Sequence, residues 1–283
     1  MTSRYRIHHT STYAYDQPVT ASFNEVRQTP AAAPWQVPLE SVLRVDQSSW
    51  QYRYDDYWGT QVRAFEAHAP HRELVVDVTS VVEVDGSRRH RRADDLSWAE
   101  VRDERVGDQF GEYLAVSALT APPAELAELA ESVAAEAPPA DAVRAIAAAV
   151  HDTMAYLPGS TGVHTLAAEA WAARSGVCQD YAHLLVGALR SIGMPARYVS
   201  GYLHPSAAPE IGVSVPAESH AWVQWWLGEW SDYDPTNLAD IVERHVHVGA
   251  GRDYRDVPPI KGIVAGTPVA TELEVEVTIT RQA

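Results

Sequence analysis

The chain of 283 residues is 46% hydrophobic and 21% charged, which suits one large folded domain or two ordinary ones and not a disordered chain. Its net charge of −16 sets it against nucleic acid and anionic membrane as partners, because binding phosphate needs a positive surface. One cysteine excludes an intrachain disulfide and a multi-cysteine zinc site, and points to a reducing, cytoplasmic compartment. In keeping with that, Met1 to Thr10 is polar with no apolar signal-peptide core, and no apolar run reaches the roughly 18 residues that span a bilayer. Of the 22 basic residues only Lys261 is a lysine.

In chain order, the first ~85 residues read as strands. Tyr5-Arg6-Ile7 and Tyr13-Ala14-Tyr15 alternate, as do Trp50, Tyr52 and Tyr54 with Gln51 and Arg53. Leu74 to Val84 is valine-rich and ends at Asp85-Gly86, a hairpin signal. Short β-runs punctuated by Pro and Gly predict a sandwich over residues 1–95. The basic run Arg88 to Arg92 is expected in a solvated loop, and residues 96–121 are assigned to a connector. From Pro122 the pattern turns helical. One helix is expected between Pro123 and Pro138, and a second carries Val143, Ile146, Val150 and Met154 on one face. A third runs from about Val177 to Ile192 and stops at Gly193. Strands follow at Arg197–Leu203, His220–Trp226 and Trp230–Tyr233. At the C-terminus, Leu273, Val275, Val277 and Ile279 alternate with acidic or polar residues. That pattern predicts a strand over 271–282 with one buried face, pairing back onto the N-terminal sandwich; the core assigned to 122–270 lies between.

Three residues carry the chemistry. Cys178 opens the third helix, where unbonded N–H groups and the helix dipole favour a thiolate and an oxyanion. His220 begins one strand and Asp234 ends the next, so a hairpin brings both to the same end. A plain two-residue loop would put them on opposite faces. A three-residue loop Leu227-Gly228-Glu229 sets Trp222 opposite Asp234, making His220 and Asp234 diagonal neighbours on one face. Asp234 then orients the imidazole and His220 takes the thiol proton. All three are expected at a cleft, so replacing them should spare the fold. Tyr156, Trp171, Gln179 and Trp222 are the candidate substrate-binding residues, with core packing the competing reading for the aromatics. Asp180 is assigned to the helix N-terminus and His183 to packing. Trp225, Trp226 and Trp230 divide between core and cleft wall. His245 and His247 share a strand face but lack a third ligand, so no metal is assigned; with no P-loop, EF-hand or GxGxxG fingerprint, no cofactor is expected.

The stretch GVCQDYAHLLVGALRSIGMPARYVSGYL, followed by SHAWVQWW and YDPTN, resembles the core of bacterial transglutaminase-like proteins. YRIHHTSTYAYDQPV is similar to the β-rich region that precedes that core, and GRDYRDVPPIKG to its tail. The resemblance implies an α+β fold, with a papain-like core in which a helix-borne cysteine packs on antiparallel sheet. It places the nucleophile, base and orienting acid on Cys178, His220 and Asp234. It also implies thiol-dependent acyl transfer on a carboxamide or peptide bond, through a thioester, in a protein or peptide substrate; the family includes acyl-transfer enzymes and thiol peptidases, so a primary amine as acceptor is left open by it. A cysteine peptidase or amidase using water, and a non-catalytic peptide-binding module, are the alternatives.

Overall fold

The computed structural model describes residues 2–89, 96–266 and 270–283. Three antiparallel sheets, a two-stranded parallel pair (Ala155–Tyr156 with Ser175–Gly176) and a helical layer make up the described chain. The first sheet runs in the order Ser214–Ala217, Ala270–Arg281, Thr2–Val19, His71–Asp85, Gln36–Arg44. The second, of four strands, is ordered Ile260–Val264, Ser22–Val26, Gln61–Ala67, Ser48–Asp55. Val26, Phe65, Leu43, Leu74, Val76 and Val78 fill the space between these two sheets, which is the sandwich expected of the N-terminal region. The third sheet is ordered Ala239–Asp240, Trp230–Asp234, Ser219–Trp226, Ala196–Leu203, His245–Gly251. No helix among the described residues is long and apolar enough to cross a membrane.

Alternation decides how the sheets join. Tyr5, Ile7, Val82, Val84, Val277 and Ile279 from the first sheet pack on Tyr202, Val246 and Val248 of the third. The C-terminal strand pairs with the N-terminal one, Ile7 opposite Ile279, as its pattern demands. Its buried face is shorter than expected: Val277 and Ile279 are buried, while Leu273 and Val275 are about half exposed at 54% and 49%. Only the last turns of that strand lie over the third sheet, so only they gain a partner surface. The N-terminal sheets also draw in Ser214–Ala217 and Ile260–Val264, strands from the segment read as core.

The hairpin expected at Asp85-Gly86 does not form. His71–Asp85 pairs with Thr2–Val19 and Gln36–Arg44 instead, and runs into the short helix Gly86–Arg89. Asp85 Oδ1 accepts from the Ser87 N–H at 3.0 Å, the side-chain turn that starts a helix rather than a two-residue loop. His90, Arg91 and Arg92 of the basic run lie outside the described residues.

Helices Ala124–Glu136, Pro139–Thr153 and Cys178–Ser191 fall where the proline breaks and apolar stripes put them. The connector is helical too, at Trp98–Val101 and Glu104–Leu114. Val106, Phe110, Tyr113 and Leu114 recur at helical spacing in the second of these, a stripe that the reading of 96–121 as a connector passed over, although Gly107 and Gly111 weaken its helix propensity. It nonetheless settles the tryptophans: Phe110 packs on Trp226 and Trp230, Tyr113 on Trp230, and Arg197 lies 4.1 Å from the Trp230 ring centroid. Trp225, 5% exposed, belongs to the core. None of these three is among the residues lining the cavity at His220.

Candidate active site

Cys178 is the first residue of its helix and half-buried. The preceding residue, Val177, is extended, and its N–H donates to Asp180 Oδ2 at 2.8 Å. Thr161 Oγ1 donates to the same oxygen. Asp180 is therefore the helix cap expected of it. The N–H groups of Cys178 and Gln179 have no carbonyl four residues back within the helix, so they are left for whatever lies beside the thiol.

Ser219–Trp226 and Trp230–Asp234 form the hairpin that the three-residue loop predicts. Trp226 pairs with Trp230 and Val223 with Tyr233, so the register carried one step further sets Trp222 opposite Asp234. Gly228 at the loop centre has φ +82°, a conformation that favours glycine. His220 Nε2–H donates to Asp234 Oδ2 at 2.7 Å. With Nε2 on Asp234, Nδ1 is the ring nitrogen left for Cys178, the second neighbour that favours the charged ring. His220 pairs with Gly201 on the next strand, and a Cβ there would sit 2.1 Å from the Val246 carbonyl and 2.6 Å from the Trp222 indole. Glycine at 201 leaves room for the Trp222 indole, whose ring centroid lies 6.3 Å from that of the imidazole at a tilt of 30°.

Asp234 departs from expectation. It is wholly buried, not at a cleft edge. Oδ1 accepts from the N–H groups of Thr236 (2.9 Å) and Asn237 (3.2 Å), and Oδ2 from Asn237 Nδ2 (2.7 Å) as well as His220. The motif YDPTN is thus a side-chain-capped turn that clamps the carboxylate. His245 completes the shell. Its Nδ1 accepts from the Val242 N–H, so the neutral ring's proton sits on Nε2, 3.5 Å from Asp234 Oδ2. Sequence reasoning missed Asn237 and His245 as partners. An Asp-Pro pair with Asn three residues on was the available signal for Asn237; nothing local signalled His245, which arrives from another strand.

Burial works against charge on His220, but the hydrogen bonds to Asp234 and Cys178, and the charges they bring, outweigh it and raise its pKa. Burial likewise opposes ionisation of Asp234; the donors from His220, His245 and Asn237 overcome it and hold the carboxyl well below its usual range. His220, Asp234 and His245 offer ligand atoms within 4.8 Å of one another, a spacing that suits a cation. Their mutual hydrogen bonds already engage those atoms. His247 stands apart, buried, its backbone N–H held by Gln36 Oε1, as a structural residue.

The other site candidates divide. Tyr156, 46% exposed, pairs in parallel with Gly176 and lines the same cavity of about 780 Å3 as His220. Burial first, then the charges of Cys178 and Glu218, push its hydroxyl up to about 12, so it is a donor at neutral pH. Trp171 is not at the site. It is 4% exposed on the inner face of helix Ala167–Ala173, donates to Glu125 Oε2 at 2.8 Å and packs in the helical core. Gln179 is buried and donates to the Gly162 carbonyl at 3.3 Å, tying down the 157–165 loop. Trp222 is fully buried, its Nε1–H on Asp232, and backs His220 rather than walling the cleft. His183 is buried beside Tyr198 and accepts from the Tyr254 N–H.

Residues 127–235 match the model of the transglutaminase-like superfamily, and residues 5–83 that of the bacterial transglutaminase-like N-terminal region. An uncharacterized protein of Mycobacterium leprae is 44% identical over 280 residues, covering 99% of both chains. A protein-glutamine gamma-glutamyltransferase of Pseudomonas aeruginosa is 35% identical over 92 residues, which is 30% of this chain and 14% of that one. The crystal structure of a "Putative Cysteine Protease" from Cytophaga hutchinsonii shares the fold, with TM-score 0.74, 22% identity, and coverage of 98% of this chain and 90% of that one.

Proposed function

The chain belongs to the transglutaminase-like superfamily, and from that premise we propose that it is a thiol acyltransferase acting on peptide-borne glutamine carboxamides. The observation that carries the proposal is the line Cys178–His220–Asp234, with the cysteine at a helix N-terminus and the histidine in the wall of a cavity. The raised pKa of His220 favours an imidazolium at neutral pH, the partner a thiolate needs. The Cys178 sulfur attacks the carboxamide carbon and a C–S bond forms. The oxyanion lies against the N–H groups at the helix start. His220 passes its proton to the leaving nitrogen, the C–N bond breaks, and ammonia departs from a thioester. A primary amine then attacks the thioester while His220 removes its proton. The C–S bond breaks, the new amide leaves, and the thiolate–imidazolium pair is restored. Asp234 keeps the ring oriented and stabilises its cationic form throughout.

The activity named for the Pseudomonas relative, similar over the segment it shares with this chain, supports the amine as acceptor. Hydrolysis is the second reading, because Glu218 and Ser219 beside His220 are exposed and water reaches the cavity. Incubation with a glutamine-containing peptide, with and without a primary amine, decides between them. Mass spectrometry should detect the amine adduct, absent with Cys178→Ala. Glutamate alone in the presence of amine would establish hydrolysis, and an unmodified peptide would overturn both.

A further inference from the structure

The cavity at His220 holds a second charged group that the acyl-transfer steps leave unused. Arg244 lines it, half-buried, and its position is fixed from two sides. The His204 N–H donates to the Arg244 carbonyl at 3.0 Å, and Arg244 Nη1 donates to the His204 carbonyl at 3.1 Å. Some arginines of this acidic chain pair with carboxylates, as Arg27 does with Asp56 and Arg144 with Asp240, while others, Arg72, Arg102 and Arg190 among them, donate to backbone carbonyls. Arg244 is of the second kind, and what sets it apart is its place in the lining of the cavity beside His220. Glu218, the carboxylate among the cavity's lining residues, lies by Tyr156 and is exposed. The rest of that lining includes apolar Met154, Leu203, Pro205 and Pro216.

A guanidinium anchored to the backbone through one nitrogen keeps further N–H donors for a planar acceptor, and the geometry that best satisfies them is a carboxylate. We infer that Arg244 is the anion subsite for the acyl donor, so that the substrate is a peptide presenting a carboxylate close to the reacting carboxamide. The inference rests on the acyl-transfer reading of Cys178 and names its substrate class. The cavity volume of about 780 Å3 lies in the range of roughly 300–1,000 Å3 that encloses a drug-sized ligand, so carboxamide and carboxylate must sit within a few residues of each other. An acidic side chain or a C-terminal carboxylate supplies the same chemistry.

Three peptides sharing one glutamine separate these sources: one with a free C-terminus, one with a C-terminal amide, and one amidated with glutamate beside the glutamine. The wild type should favour at least one carboxylate peptide over the neutral one by about tenfold in kcat/KM, the scale of one charge-assisted contact. The peptide that shows the preference identifies the source. Arg244→Gln should bring the ratio close to one, Arg244→Lys should keep part of it, and molar salt should narrow it in the wild type. A wild-type ratio near one, or a preference that survives in Arg244→Gln, overturns the assignment. If Arg244→Gln melts early, the Lys variant and the salt series decide. If the wild type turns over none of the peptides, the acyl-transfer reading fails on its own. Calorimetric binding of the same peptides to Cys178→Ser still tests Arg244, with equal affinities for charged and neutral peptides as the refuting result.

Discussion

Asp234 has two roles that substitution can separate. The carboxylate is fully buried and accepts from the Thr236 and Asn237 N–H groups, the Asn237 amide and the His220 ring. Asp234→Ala leaves these four part-buried donors, and the His245 Nε2–H beside them, without an acceptor. At about 1–3 kcal/mol for each, eased where water fills the vacated space, the loss is roughly 4 kcal/mol out of a typical stability of about 5–15 kcal/mol. For a chain of this length that lowers Tm by roughly 10 °C. Asp234→Asn preserves shape and can still accept the two backbone donors through its carbonyl oxygen. Its amide nitrogen then meets His220 Nε2, where two donors cannot face each other. The ring must turn its Nε2 lone pair to the substituted amide, carry its proton on the nitrogen toward Cys178, and lose its stabilised cationic form. Turnover should fall by about 10²- to 10⁴-fold, and the melting temperature should fall too, but by less than in Asp234→Ala. The pH dependence adds a second readout. His220 has a raised folded pKa, so its stabilisation is complete below about 6.5 and is lost as pH rises through the folded value. Asp234 has a lowered one, so its stabilisation is complete above about 3.9 and is lost as pH falls through the folded value. The stability gap between wild type and Asp234→Asn should therefore be widest between about pH 4 and 6.5. Circular dichroism melts, histidine NMR titration and peptide turnover make the measurement. Wild-type melting in Asp234→Ala, or an unaltered His220 titration in Asp234→Asn, would refute the reasoning.

Cys178→Ala should abolish turnover and iodoacetamide labelling, since no other thiol exists, while melting within a few degrees of wild type because alanine suits a helix start. His220→Ala should lose nearly as much activity; a rate within tenfold of wild type would contradict its assignment as base. Burial depresses His9 and His183 from 6.5 to about 4, so each favours folding when neutral, by about 3 kcal/mol. That contribution is complete above about 6.5 and lost as pH falls toward 4, and stability to urea should decline across that window in wild type but less in His183→Gln. Truncation before Thr271 removes the strand that lies between Thr2–Val19 and Ser214–Ala217. It should lower Tm and, because Pro216 and Ala217 line the His220 cavity, weaken peptide turnover as well; unchanged melting would contradict both.

What was legible in the residues was whatever follows from a local period or a local turn. Proline breaks and apolar stripes set the helices at 124–136, 139–153 and 178–191. Counting across Leu227-Gly228-Glu229 set the hairpin register, and with it the meeting of His220 and Asp234. Elements whose reason is a distant partner were hidden. The helix Glu104–Leu114 carries an apolar stripe through two glycines, but that Phe110 and Tyr113 on it would cover Trp226 and Trp230 was not legible. Trp171 and Tyr156 were equal candidates in sequence, yet one faces Glu125 in the helical core and the other the cavity, since helix phase and strand pairing point them apart. The half-exposed start of the C-terminal strand shows that alternation fixes which residues share a face but not whether another sheet covers it. Residue types and spacing fixed the three groups able to do the chemistry. Only the tertiary fold brought His245 to Asp234 and Arg244 to the cavity, because a strand's own sequence carries no record of which strand will lie beside it.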